Sequence, residues 1–191
     1  GSCYLFDKFS SAFLGAGEGK SKFGHGIYIT SSYKTAALYA AKAAKANGKK
    51  CYYVYTVEVP VLTENNHIFS CKPVNQEVIN RVEKEIGQTI PEEVKSAGKL
   101  FRKYLGNLLT GQLGTIKKMM GKADSVAEKA VSQFLNSVDI VYLAWPQSQT
   151  NPEGDTNRAV LNEEDIRIIK IGQQRFTGKA VLLGARGIPI R

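Results

Sequence analysis

Gly24-His25-Gly26-Ile27-Tyr28-Ile29-Thr30, followed eleven residues after Tyr28 by Tyr39 within Ala36-Ala37-Leu38-Tyr39-Ala40, is the stretch on which the reading of this chain turns. Two glycines flanking one residue let the backbone approach a neighbour closely. Ile27, Tyr28, Ile29 and Thr30 are strand formers, and Ser31 or Ser32 offers an N-cap to the alanine-rich run behind them. That run predicts a helix over residues 32–47, stopped by Asn47-Gly48. A strand feeding a capped helix carries one tyrosine on each element, so both rings can line a cleft and hold a flat heterocycle. A single tyrosine is more often an ordinary core aromatic, and the pair needs support from the rest of the chain.

Support comes from a resemblance. The poly(ADP-ribose) polymerases carry a Gly-x-Gly-Ile-Tyr-Phe strand with a tyrosine eleven residues on, and Phe23 through Tyr28 with Tyr39 looks like that segment of the ADP-ribosyltransferase fold. Phe6-Asp7-Lys8-Phe9, then Gly15-Ala16-Gly17-Glu18-Gly19, then Phe23-Gly24-His25-Gly26-Ile27-Tyr28 is similar to the ADP-ribosyltransferase domains within polyvalent proteins of phages and mobile elements. The likeness continues through Tyr55-Thr56-Val57-Glu58-Val59-Pro60 and through Val160-Leu161-Asn162-Glu163-Glu164-Asp165-Ile166-Arg167-Ile168.

The resemblance implies an α+β fold, with a split β-sheet core and a helical insertion over about 74–137, in one domain spanning residues 1–191. It implies an NAD-dependent mono-ADP-ribosyltransferase that passes ADP-ribose from NAD to a macromolecular acceptor and releases nicotinamide, with NAD as substrate and no metal. Breaking that glycosidic bond passes through an oxocarbenium-like transition state, so the site must hold nicotinamide flat and steady developing positive charge. Tyr28 and Tyr39 would stack around nicotinamide, and Gly24 and Gly26 belong to the same binding segment. Gly1 aligns with the glycine that binds the carboxamide and Ser2 with the serine beside it, in a His-Gly-Ser opening whose histidine is absent from this chain. A leading Gly-Ser is also a common cloning remnant; its spacing to Phe6-Asp7-Lys8-Phe9 favours native residues.

Besides the histidine, which this chain does not contain at that motif, two positions depart from the family pattern. The glutamate that polarises the ribose falls at Asn157 when counted back from Ile166, or at Arg158 when set on the Asn-Glu pair of the polymerases, and neither is a carboxylate. Glu153 or Asp155 on the preceding loop is a substitute source of charge. Ala36 stands where the polymerases use a serine that binds the nicotinamide amide. Tyr28 and Asn157 are therefore the candidate catalytic pair, and the loop with Gln147, Gln149, Glu153 and Asp155 the candidate acceptor-selecting segment.

Composition bounds the remaining choices. The chain has 191 residues, 43% of them hydrophobic, enough for one domain with a core, and no apolar run approaches the ~20 residues of a membrane span. Cys3, Cys51 and Cys71 are odd in number and include no Cys-x-x-Cys pair, which points away from a disulfide framework and from zinc. With no signal peptide visible, a cytoplasmic setting is expected, in a bacterium or a host cell, for a monomeric domain of a larger phage or toxin protein. The net charge of +9 attracts polyanions, with basic clusters at Lys42, Lys45, Lys49 and Lys50, at Lys117 and Lys118, and in a C-terminal extension over about 172–191. An acidic macromolecular acceptor is expected, nucleic acid among the choices. Gly17-Glu18-Gly19-Lys20-Ser21 invites comparison with a phosphate-binding loop, but the first glycine of that signature falls at Leu14.

Alternation predicts strands over 51–60, 139–145, 159–161 and 166–171, and helical spacing predicts helices over 75–86, from Pro91, and over 125–136. Three functions stay open: a transferase, an NAD- or ADP-ribose-binding module without strong turnover, and a basic nucleic-acid-binding domain.

Overall fold

The computed structural model describes residues 1–13, 23–112, 125–147 and 156–176, together with the backbone of Ala180–Gly184. Local chemistry sets the first helix. Ser32 accepts a hydrogen bond from the Thr35 amide at 3.2 Å and opens α1, Tyr33–Ala46, which ends at Asn47 with Gly48 at φ 63°. In α2, Gln76–Ile86, Asn75 caps the start, Gly87 at φ 69° closes the end, and Val78, Ile79 and Val82 form the buried stripe. The segment after Pro91 gives only a short α3, Glu92–Lys95, and a separate α4 follows at Gly98–Leu109. Sequence periodicity missed α4 because Arg102 and two glycines, Gly98 and Gly106, share its buried face with Phe101 and Leu105. The last helix, α5, is Ser125–Ser137.

Among the described residues seven strands form two sheets, which makes the architecture α+β. β1 (Ile27–Thr30), β5 (Thr156–Val160), β4 (Tyr142–Pro146) and β3 (His67–Phe69) lie side by side in that order. The other sheet runs β2 (Cys51–Glu58), β6 (Arg167–Arg175), β7 (Ala180–Gly184). β3 pairs parallel to β4 over three residues, too short a run for alternation to reveal. Within the expected C-terminal extension of about 172–191, residues 172–175 continue β6 and 180–184 form β7, while 177–179 and 185–191 lie outside the described residues.

Because side chains alternate across a sheet, the four-stranded sheet feeds two cores. Leu143, Trp145, Ala159 and Ile68 pack with Phe101 and Leu135 against the helices. Ile27, Tyr142, Val160 and Ile166 pack on the opposite side with Val57 and Val59, where the chain of β2 runs on. Each fully buried apolar side chain of that size contributes about 1.5–3 kcal/mol.

Two distant blocks of the sequence meet at the second core. Phe6 stacks on Tyr55 with ring centroids 4.3 Å apart, and Phe9 meets both rings edge-on. The Tyr55 hydroxyl donates to the Tyr4 carbonyl at 2.9 Å and accepts from the Phe6 amide at 3.0 Å, and burial pushes its pKa up to about 12. Lys8 pairs with Glu164 at 2.8 Å on the surface, and the Ser11 amide donates to Glu163. The Phe6–Phe9 and 160–168 motifs thus hold one another in place.

Candidate functional site

Strand register decides which side chains share a surface. Tyr28 lies opposite Ala159, which lies opposite Leu143; Thr30 lies opposite Asn157, which lies opposite Trp145. Residues directly opposite one another project to the same side of a sheet, so Tyr28, Thr30, Asn157 and Trp145 share one face. Arg158 pairs with Ile29 and Ala144 and therefore belongs to the other face, where its guanidinium lies 5.5 Å from the centre of the Tyr142 ring. Of the two positions that the sequence left open, Asn157 is the one on the side of Tyr28.

The loop entering β1 is held by three consecutive carbonyls. Arg102 of α4 donates to the Phe23 carbonyl, the Tyr28 hydroxyl donates to that of Gly24 at 2.9 Å, and Ser132 of α5 donates to that of His25 at 2.6 Å. The Phe23 amide in turn donates to the Tyr28 oxygen at 3.1 Å. Burial pushes the Tyr28 hydroxyl above its ordinary pKa, so at neutral pH it is a protonated donor already committed to Gly24. Its ring lies 4.9 Å from that of Trp145, which stacks on Phe23 at 4.4 Å, while 37% of Tyr28 remains exposed. The ring, and not the hydroxyl, is what Tyr28 offers a ligand.

The glycines of this loop are explained by the protein's own packing. Gly24 sits at φ 115°, and a Cβ there would stand 2.2 Å from Leu143 Cδ1. A Cβ on Gly26 would stand 2.7 Å from the Val160 carbonyl oxygen on β5. The close approach expected at these positions is made by β4 and β5.

Arg102, Glu128 and Ser132 were not singled out by sequence reading. Arg102 Nε lies 2.9 Å from Glu128 Oε2, with both side chains almost completely buried between α4 and α5. Burial raises the Glu128 pKa, and the Arg102 charge opposes that shift. The available signal was a charge set next to a core position on each helix, Arg102 after Phe101 and Glu128 after Ala127.

Gly1 and Ser2 lie across from α1. Ser2 exchanges two backbone hydrogen bonds with Tyr53 of β2, at 2.9 and 2.8 Å, and its hydroxyl accepts from the Tyr4 amide at 3.0 Å. A Cβ on Gly1 would stand 2.2 Å from the Ala36 carbonyl oxygen and 2.8 Å from Ala40 Cβ. Tyr39 stands on the same helix and is 57% exposed. Gln147, at the end of β4, donates to the Thr35 hydroxyl at 2.8 Å in the first turn of α1. The structure therefore gathers Gly1, Ala36 and Gln147 onto α1, and Tyr28 and Asn157 onto one sheet face. Gln149, Glu153 and Asp155 lie outside the described residues, as do Lys117, Lys118, the Gly15 to Gly19 block and the Gly17 to Ser21 segment.

Among the described residues, no three His, Cys, Asp or Glu side chains are grouped so as to hold a metal ion, and no helix is long and apolar enough to cross a membrane. The sequence matches no family model, no curated protein and no solved structure.

Proposed function

We propose that this chain is an NAD-dependent mono-ADP-ribosyltransferase domain of the polyvalent-protein type. The observation that carries the reading is the contact between Gly1 and Ala36, the two positions that the resemblance assigns to the nicotinamide carboxamide from opposite ends of the motif. They are distant in sequence, and the packing of Gly1 on α1 brings them within touching distance. The common face of Tyr28 and Asn157 supports the same reading, since the residue that meets the ribose has to stand on the side of the stacking tyrosine.

In this reading, the exposed rings of Tyr28 and Tyr39 flank nicotinamide, and the Gly1 backbone, which has no side chain to intervene, meets its carboxamide. Asn157 offers an amide that can orient a ribose hydroxyl, but it carries no charge to steady an oxocarbenium ion. That observation favours a second reading: an NAD- or ADP-ribose-binding module that turns over weakly.

A melting titration with NAD and with ADP-ribose, run beside an assay for released nicotinamide, separates the two. Ligand that binds only the folded state raises stability by about 2.7 kcal/mol at a concentration a hundredfold above Kd. Stabilisation with nicotinamide release supports the transferase, and stabilisation without release supports the module. A melting temperature indifferent to both ligands removes both readings.

A further inference from the structure

Residues 19–57 and 166–191 contain no Asp or Glu. The fold lays a strand at the end of one, Cys51–Glu58, beside a strand of the other, Arg167–Arg175. β2 pairs with β6 so that Cys51 lies opposite Arg175 and Tyr52 opposite Gln174, and α1 packs against β2.

Aromatic rings lie beside cations on the surface so formed. Lys42 Nζ lies 5.6 Å from the centre of the Tyr39 ring, and Lys45 Nζ lies 5.5 Å from that of Phe176, just past the end of β6. Phe176 is in turn 5.6 Å from Tyr52, their planes at 49°. Lys42 and Lys45 are three residues apart and so neighbours on one helix face. Tyr39, Lys42, Lys45, Phe176 and Tyr52 therefore make one row, from the outer side of α1 to the end of the three-stranded sheet. At the other corner, Lys49 Nζ lies 5.0 Å from the Tyr4 ring. Tyr4, Tyr39 and Phe176 are 54%, 57% and 45% exposed, so each ring is open to a partner.

We infer that this row is a track for single-stranded nucleic acid. Base faces stack on exposed rings and phosphates pair with lysines, so rings set beside cations suit an unpaired strand. A duplex hides its base faces, and an acidic peptide uses the lysines but gives the rings nothing planar to meet. Net positive charge alone does not distinguish these partners, whereas half-exposed rings beside the charges do. If the chain transfers ADP-ribose, a strand on this track passes Tyr39 and is the acceptor; binding itself does not depend on that reading.

The test is fluorescence anisotropy with a short labelled oligothymidylate and its oligouridylate counterpart, which distinguish DNA from RNA, against a duplex and a polyglutamate peptide of similar charge. Phe176→Ala and Tyr52→Ala lie outside the proposed NAD site and are checked for folding by circular dichroism. Each is expected to weaken single-strand binding by about fivefold or more, the loss expected on removing one stacking platform. Reversing Lys42 and Lys45 to Glu is expected to reduce the slope of log affinity against log salt by about 1.4. Phe176 is exposed, so Phe176→Ala alone carries the aromatic test should Tyr52→Ala unfold.

Four results overturn the track: no strand binding at low salt, duplex binding as tight as single strand, polyglutamate binding as tight, or a folded Phe176→Ala that binds like the parent. NAD binding by the parent, measured separately, shows whether the transferase reading has failed as well.

Discussion

Gly1 faces Ala36 so closely that a methyl group on its Cα would stand 2.2 Å from the Ala36 carbonyl oxygen. Two opposite substitutions follow from that contact. Gly1→Ala forces the opening away from α1 and is expected to weaken NAD binding about tenfold or more, a loss of about 1.4 kcal/mol. Ala36→Ser adds the hydroxyl that the polymerases use at this place and is expected to strengthen binding by about 0.5–1.5 kcal/mol, one net hydrogen bond. Isothermal titration with NAD measures both. Equal affinity in parent and Ala36→Ser would place the carboxamide elsewhere.

Tyr28 and Tyr39 should separate cleanly in a stability measurement. The Tyr28 hydroxyl bonds both the Phe23 amide and the Gly24 carbonyl, so Tyr28→Phe is expected to cost about 1–3 kcal/mol of stability while keeping the ring that the proposal sets against NAD. Tyr39 is largely exposed, so Tyr39→Ala should leave the denaturation midpoint unchanged and weaken NAD binding by about 1–3 kcal/mol. A Tyr39→Ala protein that loses stability and binds NAD normally would make this residue a packing aromatic.

Asn157→Glu places a carboxylate on the Tyr28 face, while Arg158→Glu places one on the opposite face beside Tyr142. The first is therefore expected to create or raise hydrolysis of NAD to nicotinamide, and the second to do neither. Chromatographic detection of nicotinamide decides it. Activity in Arg158→Glu alone would refute the strand register on which the site is built.

That register marks the limit of what the sequence could reveal. A one-residue slip moves every side chain of a strand to its other face, and nothing in Thr156-Asn157-Arg158-Ala159-Val160 distinguishes the two choices until β1 and β4 are paired to it. Features with a short-range cause were legible: the Ser32 cap, the Asn47-Gly48 stop and the stripe of α2 each follow from residues a turn apart. Arg102 and Glu128 were not, because each reads as an exposed helical charge until α4 and α5 are packed together. β6 was legible over 166–171, while its continuation to Arg175 and the whole of β7 were obscured by charge. Lys170 and Arg175 stand on exposed positions of a strand whose Ile171 is buried, and composition weighs all three equally.

The buried pair that supports the Phe23 carbonyl predicts a particular asymmetry. Glu128→Ala leaves the Arg102 charge in a buried position without its carboxylate and is expected to cost about 3–5 kcal/mol. Replacing both residues by apolar ones of similar size, Arg102→Met with Glu128→Leu, should cost less than Glu128→Ala alone, because no unpaired charge remains buried. Urea denaturation of the single and double variants gives the comparison. A double variant less stable than Glu128→Ala would show that the hydrogen bond from Arg102 to Phe23, and not the ion pair, is the larger contribution.

Acid stability should report on Glu83, whose Oε1 accepts the amide of buried Ile90 at 2.8 Å and lies 3.1 Å from Lys95 Nζ. The Ile90 amide first, and Lys95 after it, hold the Glu83 carboxyl below its ordinary pKa of 4.5. A folded-state pKa below the unfolded one means that the unfolded chain binds more protons in between. The stabilisation is therefore complete above the ordinary value and is lost as pH falls through the lowered one. Glu83→Gln keeps a carbonyl for Ile90 but has no charge to lose. Its stability deficit against the parent should be largest at neutral pH and shrink on acidification. Glu83→Ala orphans the Ile90 amide as well and should keep a deficit of about 1–3 kcal/mol even in acid. Denaturant titrations from neutral to acid pH compare the three proteins, and a Glu83→Gln deficit that does not shrink would assign the effect to packing instead of charge.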